Sequence, residues 1–241
     1  MTDTSRCFLL LPCAGVGARA QAKSAAGADL PKQYQPILGR AVVQHTLDAL
    51  QPLTEMAQTL VVLAPDDAHF SALCQPTANV SVAYCGGATR AQTVANGLQH
   101  LRAHCGAEVG DWVLVHDAAR CLIEPAWVRR LLQACQAADS GGLLAVPVAD
   151  TLKAADSAQR VAETVERSNK WLAQTPQMFR LGELQTALAA CHAVSDEASA
   201  MEQAGHAPLL LPGHTHNLKV TYPEDFALAQ SILRLRAEQQ T

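Results

Sequence analysis

Residues Cys7-Phe8-Leu9-Leu10-Leu11 run directly into Pro12-Cys13-Ala14-Gly15-Val16-Gly17-Ala18-Arg19, and the reading of that junction decides the fold. Five apolar residues without polar alternation form the pattern of a strand buried on both faces of a parallel sheet. The run breaks at Pro12 into small residues and two glycines. Glycine tolerates φ > 0 and leaves backbone N–H groups uncovered, so such a loop can approach an anion closely. Arg19, and Lys32 within Pro31-Lys32-Gln33-Tyr34, bring two cations to it. Together these features point to a loop that holds a nucleoside triphosphate, with much of the remaining chain placing a second substrate against it.

Two other readings start from the same residues. Gly15-Val16-Gly17-Ala18-Arg19-Ala20 also fits the Gly/Ala form of the dinucleotide-binding fingerprint. That fingerprint requires a helix straight after the glycines. Here Lys23 to Pro31 carries a glycine and a proline, a composition suited to a mobile loop. The next apolar run, Leu60-Val61-Val62-Leu63, lies too far on to supply the ribose-binding acid. A purely structural glycine turn is the remaining alternative.

At 241 residues the chain is long enough for one α/β domain with a full core, residues 1–241, and a small appendage at about 149–171. Eighteen basic against 22 acidic residues give a net charge of −4, which argues against a general nucleic-acid surface while leaving local cationic sites open. No apolar run is long enough to span a bilayer. The first apolar run has neither a basic lead-in nor a small-residue cleavage pattern, so it reads as a strand and not a signal peptide. Eight cysteines are scattered without a C-x-x-C pair, the pattern of reduced thiols serving as small hydrophobes in a cytoplasmic protein. His100 and His104 stand at i,i+4, and His214 and His216 flank one residue, but neither pair has further ligands nearby in the sequence to complete a metal site.

Along the chain, apolar strands alternate with helical patterns. Strands are expected at Leu60–Ala64, Val80–Tyr84, Trp112–Val115 and Gly142–Val148. Helices are expected over Val42–Leu50, from a cap at Asp66 through Leu73, over Arg90–His104, and from Pro125 through Ala137. The alternation predicts a mostly parallel twisted sheet with helices on both faces. Such sheets bind ligands at the carboxyl ends of their strands. The Gly15 loop, Gly86-Gly87 and Asp117 each follow a strand directly, so three unusual sequences converge on one rim. Beyond this, Thr151-Leu152-Lys153 and Val161–Val165 read as a two-stranded ribbon, which needs a partner surface to be stable. Trp171–Phe179 returns to the sheet with an interruption at Pro176. Helices are expected over Leu181–Cys191 and Asp196–Ala204, with Ser195 as N-cap, and strands at Leu209–Leu211 and Asn217–Val220. A final amphipathic helix opens at Pro223.

The junction and the Pro31-Lys32-Gln33-Tyr34 stretch resemble the nucleotide-binding signature of the sugar-phosphate nucleotidylyltransferases. Further stretches are similar to the 2-C-methyl-D-erythritol 4-phosphate cytidylyltransferase family. They are Gly86-Gly87 with Arg90, Thr93 and Val94; Val115-His116-Asp117-Ala118-Ala119-Arg120; Thr175-Pro176-Gln177 with Phe179; Asp196-Glu197-Ala198-Ser199-Ala200; and Asn217-Leu218-Lys219-Val220-Thr221. They occur in order over nearly the whole chain. The resemblance implies a Rossmann-like nucleotidyltransferase fold with a protruding β-arm used for dimerisation. It also implies transfer of CMP from CTP to methylerythritol phosphate, with Mg²⁺ present and pyrophosphate leaving.

Residue by residue, the resemblance assigns CTP to Pro12, Cys13, Ala14, Gly15 and Gly17, to Gly86, Gly87, Arg90 and Thr93, and to Asp117 and Ala118. Arg19 and Lys32 are implied as the catalytic cations, and Asp117 as a Mg²⁺ ligand. For the acceptor it implies Arg120, Ser195 and Lys219 from one subunit, and Thr151 and Arg167 from the ribbon of a second, with Asp150 orienting Arg167 or holding a polyol hydroxyl. The implied partners are these two small molecules and a second copy of the chain in a homodimer, with neither nucleic acid nor membrane. Three departures mark this chain: a long Arg19–Lys32 loop, Ala88-Thr89 where relatives carry an acid or amide, and Cys121 where proline commonly follows the arginine. Rival readings are a cytidylyltransferase for another polyol phosphate, such as ribitol phosphate, and a non-catalytic nucleotide-binding module.

Overall fold

The computed structural model describes residues 5–15, 30–191 and 193–239. Strand β1 (Cys7–Pro12) is followed by a single 3₁₀ turn (Lys32–Tyr34), a small pair β2 (Pro36–Ile37) and β3 (Arg40–Ala41), and helix α1 (Val42–Leu50). Then come β4 (Met56–Val62), the one-turn α2 (Phe70–Leu73), β5 (Val80–Ala83), α3 (Arg90–His104), β6 (Trp112–Val115), α4 (Pro125–Ala138) and β7 (Gly142–Pro147). The ribbon is β8 (Leu152–Ala155) and β9 (Val161–Val165); β10 (Trp171–Arg180), α5 (Leu181–Ala190), α6 (Glu197–Gln203), β11 (Leu209–Pro212) and α7 (Pro223–Glu238) complete the chain.

Seven strands form one sheet in the order β11-β7-β10-β6-β1-β4-β5. β1 pairs in parallel with β4 and β6, β4 with β5, and β7 with β11, while β10 runs antiparallel between β6 and β7. The sheet is therefore mostly parallel, as the unbroken apolar strands require. Alternate residues of β1 serve opposite faces. Leu9 and Leu11 pack with Val43 and Leu47 of α1 and Val128 and Leu131 of α4, whereas Phe8 and Leu10 pack with Leu98 of α3, Leu184 of α5 and Met201 of α6. Gly97 lets α3 approach closely: a Cβ there would lie 2.7 Å from Leu10 Cδ1 and 2.8 Å from Val62 Cγ2. A third cluster seats α7 through Ala229 and Ile232 against Ile37, Val42 and Leu122.

The local expectations are corrected at four places. The strand expected from Leu60 begins at Met56, because its first residues already pair with β1. Asp67, not Asp66, receives the His69 and Phe70 N–H groups ahead of α2. Asp196, not Ser195, caps α6: its carboxylate accepts the Ser199 N–H while the Ser199 hydroxyl reaches back to the cap, a capping box with serine in place of the acid. Asn217–Val220 is not a strand; it is held instead by Val220 N–H donating to Ala119 O. Strand β10 is continuous through Pro176, but its pairing with β7 shifts register between Ala173 and Gln177. The ribbon β8–β9 forms as expected and is hydrogen-bonded to neither larger sheet edge.

Candidate active site

A cleft of about 580 Å³ opens at the carboxyl ends of β1 and β6 and runs to the start of α3. Pro12, Cys13, Ala14 and Gly15 form one wall. The loop is pinned on both sides: Cys13 N–H donates to Val62 O at 2.8 Å, and the buried Gln33 donates from Nε2 to Cys13 O (3.1 Å) and Gly15 O (2.8 Å). Gln33 sits in the 3₁₀ turn that also carries Lys32, so one turn both anchors the loop and brings its cation to the cleft. Lys32 Nζ donates to Val220 O at 3.0 Å, joining the opening of the chain to its end. Gly17 and Arg19 fall on residues 16–29, outside the described residues.

The opposite wall is Gly87, Arg90 and Thr93. Gly86 lies behind it, where a Cβ would fall 2.3 Å from Ala14 Cβ and 2.7 Å from Leu63 O, so only glycine lets these two loops meet. Thr89 caps α3 by accepting the Gln92 N–H, and Thr93 Oγ1 accepts the Gly87 N–H at 3.1 Å. The first turn of a long helix thus borders the cleft, where unpaired N–H groups and the helix dipole favour an anion.

Asp117 lies at the floor, just past the end of β6. Its Oδ1 accepts from Arg90 Nε at 2.9 Å, its Oδ2 lies 2.7 Å from Lys219 Nζ, and Arg120 Nε stands 3.8 Å from Oδ2. Burial acts to raise the Asp117 carboxyl, but Arg90, Lys219 and Arg120 outweigh it and hold the group well below the usual carboxylate range. Arg90 also grips the buried Glu197 with both terminal nitrogens, at 2.7 and 2.9 Å. This bidentate pair ties α3 to the first turn of α6. Burial opposes the Arg90 charge, and the two carboxylates more than restore it. Glu197 is pushed upward by its own burial.

The expected acceptor residues fall into two groups. Lys219 lines the cleft, and Arg120 stands beside it, donating from Nη1 to Asn217 O at 2.5 Å. Ser195 is exposed at the start of α6, hydrogen-bonded to Ser199. Asp150, Thr151 and Arg167 are exposed on and around the ribbon, and Arg167 donates to Ala149 O; none of the three lines the cleft within a single chain. Four residues that shape the site carried no role in the sequence reading: Gln33, His116, Thr175 and Asn217. The detectable signal was polarity in apolar surroundings, as in Gln174-Thr175-Pro176-Gln177 between the apolar Trp171-Leu172-Ala173 and Met178-Phe179 of β10.

Among the described residues lining the cleft, Asp117 is the one carboxylate, and no group of three or more His, Cys, Asp or Glu side chains clusters as a metal site. The His100–His104 and His214–His216 rings lie 4.5 and 4.6 Å apart, and His214 also stacks on Trp127. The buried thiols are pushed up by burial, Cys74 and Cys121 to about 11 and Cys135 to about 12, so they behave as small apolar groups. No helix among the described residues is long and apolar enough to cross a membrane.

A mostly parallel sheet whose central strand delivers a glycine loop to its carboxyl rim defines an α/β nucleotidyltransferase. Comparison with known proteins narrows the class. Residues 7–235 match the family model for IspD, 2-C-methyl-D-erythritol 4-phosphate cytidylyltransferase. The chain therefore belongs to the 2-C-methyl-D-erythritol 4-phosphate cytidylyltransferase family. It is 50% identical over 237 residues to the cytidylyltransferase of Paraburkholderia phytofirmans, covering 95% of this chain and 97% of the relative. It is 54% identical over 235 residues to a bifunctional IspD/IspF enzyme of Albidiferax ferrireducens, covering 97% of this chain and 54% of the relative, so it spans about half that protein's length. Among solved structures, a 4-diphosphocytidyl-2C-methyl-D-erythritol synthase superposes with a TM-score of 0.83 at 39% identity, covering 95% of this chain and 99% of the other. The Francisella tularensis cytidylyltransferase superposes with a TM-score of 0.77 at 29% identity, covering 93% and 98%.

Proposed function

We propose that this chain transfers CMP from CTP to 2-C-methyl-D-erythritol 4-phosphate, releasing pyrophosphate and forming 4-diphosphocytidyl-2-C-methyl-D-erythritol for isoprenoid precursor synthesis. The observation that carries the proposal is the meeting of Lys32 and Lys219 with Asp117 in the cleft bordered by the glycine loop. An acceptor phosphate oxygen forms the new P–O bond to the α-phosphorus as the bond to pyrophosphate breaks. The step needs no covalent protein intermediate. Positioning and charge stabilisation supply the rate. Ala14 and Gly15, with Gly17 beyond the described residues, cradle the triphosphate opposite Gly87 and Thr93, and Lys32 with Arg19 offsets charge on the α-phosphate and the leaving group.

Asp117 fits Mg²⁺ only as one ligand in a set completed by nucleotide oxygens and water, because it is the cleft's one described carboxylate and three cations already surround it. When bound, Mg²⁺ neutralises phosphate charge and aligns the triphosphate. Lys219 and Arg120 receive the acceptor phosphate; the buried Arg120 Nε has no hydrogen-bond partner among the described residues, which leaves a donor for a ligand oxygen to satisfy. Ser195 supports the polyol. The exposed ribbon, residues 149–171 in a chain otherwise forming one catalytic domain, reaches a second copy, so that Thr151 and Arg167, with Asp150 beside them, complete the partner's acceptor site in a cytoplasmic homodimer.

The test is pyrophosphate release by the full chain with CTP, Mg²⁺ and either methylerythritol phosphate or ribitol phosphate. Turnover with the first is expected to exceed that with the second. Faster turnover with ribitol phosphate overturns the acceptor assignment, and CTP binding without turnover on either overturns the transferase.

A further inference from the structure

Two segments carry the acceptor-side charges: the turn His116–Arg120 holds Asp117 and Arg120, and the segment Asn217–Thr221 holds Lys219. Neither is helix or strand; one backbone bond, Val220 N–H to Ala119 O at 2.9 Å, joins them, and the other links between them run through side chains. The geometry points to a closed ring of hydrogen bonds through Arg120, Asn217, Thr175 and His116 that sets this placement, with Thr175 of β10 as the positioning residue at its centre. The inference rests on the transferase reading above.

The ring can be followed atom by atom. Arg120 Nη1 donates to Asn217 O at 2.5 Å. Asn217 Nδ2 donates to Thr175 O at 2.9 Å and to Gln174 Oε1 at 3.2 Å. Thr175 Oγ1 lies 3.1 Å from His116 Nδ1, and His116 Nε2 lies 3.2 Å from Arg120 O. Chemistry fixes every direction. A carbonyl can only accept, so Nε2 carries the imidazole hydrogen, and the Nδ1 of a neutral ring must accept. The Thr175 hydroxyl therefore donates to Nδ1, and its oxygen is free to accept the Asp117 N–H at 3.0 Å. One hydroxyl thus uses its hydrogen on one neighbour and a lone pair on the next.

His116 and Asn217 are fully buried, and Thr175 is 4% exposed. Water cannot replace a lost link there, and a buried donor left unpaired carries the full desolvation penalty. The imidazole is fully buried with a carbonyl and a hydroxyl as its ring partners, an environment that favours the uncharged form. Among the described residues, none of the ring's hydrogen bonds reaches the glycine-loop wall. Its loss should accordingly reach Asp117, Arg120 and Lys219 while sparing the fold's core.

The experiment compares Thr175→Val, which keeps the shape but removes the hydroxyl, with Thr175→Ser, which keeps the hydroxyl. At saturating CTP, Thr175→Val is expected to lower kcat/KM for methylerythritol phosphate by roughly 10- to 100-fold, the scale of a small misplacement of reacting groups. Thr175→Ser is expected to recover most of that loss, and both variants should keep CTP affinity to within about threefold. Thr175→Val at wild-type kcat/KM, or Thr175→Ser as impaired as Thr175→Val, overturns the inference. If Thr175→Val does not fold, Asn217→Ala opens the ring at another link and carries the same expectation. A ¹⁵N–¹H spectrum of the unmodified chain supplies a readout independent of turnover: His116, identified by its loss in His116→Gln, should be the Nε2–H tautomer. An Nδ1–H tautomer overturns the ring whatever the kinetics show. Absence of turnover by the unmodified chain refutes the transferase reading instead, with the tautomer still deciding whether the ring exists.

Discussion

Lys219 Nζ and Asp117 Oδ2 lie 2.7 Å apart, joining the end of the chain to the floor of the cleft. The contact keeps Asp117 ionised alongside Arg90 and Arg120, and the proposed function assigns the same Lys219 cation to the acceptor phosphate. Lys219→Ala is expected to lower kcat/KM for the acceptor by roughly 10²-fold, with a smaller effect on CTP affinity, measured by pyrophosphate release and nucleotide titration. An equal loss of affinity for both substrates would assign Lys219 to the nucleotide.

Lys32 lines the same cleft from the 3₁₀ turn, where the proposed mechanism puts it beside the α-phosphate. Lys32→Ala should lower the chemical rate by about 10²–10³-fold, or roughly 3–4 kcal/mol of transition-state stabilisation. Single-turnover measurement at saturating substrates checks this. An unchanged rate constant removes Lys32 from the mechanism.

Arg167 is exposed on the ribbon and absent from the cleft of its own chain. Arg167→Ala should chiefly raise KM for the acceptor while leaving CTP binding intact. Mixing it with a Lys32→Ala variant should restore some activity, because one heterodimer site would then hold both native residues. No recovery in verified heterodimers contradicts a shared site.

Acid should destabilise the fold earlier than carboxylate titration requires. The unfolded chain's imidazole titrates near ~6.5, whereas buried His116 titrates at about 4. The unfolded state binds more protons between these values, so the His116 contribution is complete above pH ~6.5, declines as pH falls and is gone below about 4. Roughly 3 kcal/mol is at stake. Asp117, depressed by its cations, adds a loss of the same sign at lower pH; Glu197, raised by burial, works in the opposite direction. Urea unfolding at pH 7.5 and pH 5 should show a marked drop for the native chain and a flatter response for His116→Gln. The slope should not vanish, since His100 is also lowered by burial and by His104. Equal slopes in the two proteins would exclude His116 as the source.

Gly86→Ala should cost about 1–3 kcal/mol, because the added methyl meets Ala14 Cβ and the Leu63 carbonyl in a packed interior. Thermal unfolding measures the cost. CTP affinity should fall with it, since Ala14 belongs to the glycine-loop wall.

The strands and the rim were legible in the sequence because burial on both faces leaves unbroken apolar runs, as in Phe8–Leu11 and Trp112–Val115. Lys32 and Asp117 stood out in unusual stretches, whereas Lys219 was pointed to only by the family resemblance; the fold brings all three to one cleft. The links between stretches were not legible. Nothing local pairs Arg90 with Glu197, and a polar residue such as Thr175 inside a strand reads equally well as a surface position until the tertiary fold closes over it. The cap of α6 was misplaced by one residue because Ser195 and Asp196 are both good N-caps, and only the reciprocal Ser199 bond chooses between them.

The central claim is that the triphosphate lies between the glycine loop and Asp117, within reach of Lys32. A crystal structure of the full chain with CTP and Mg²⁺ tests it most directly. The α-phosphate is expected in the cleft beside Lys32, with Lys219 and Arg120 facing it from the acceptor side. A nucleotide bound elsewhere, with Lys32 still on the Val220 carbonyl and Lys219 still on Asp117, would contradict it.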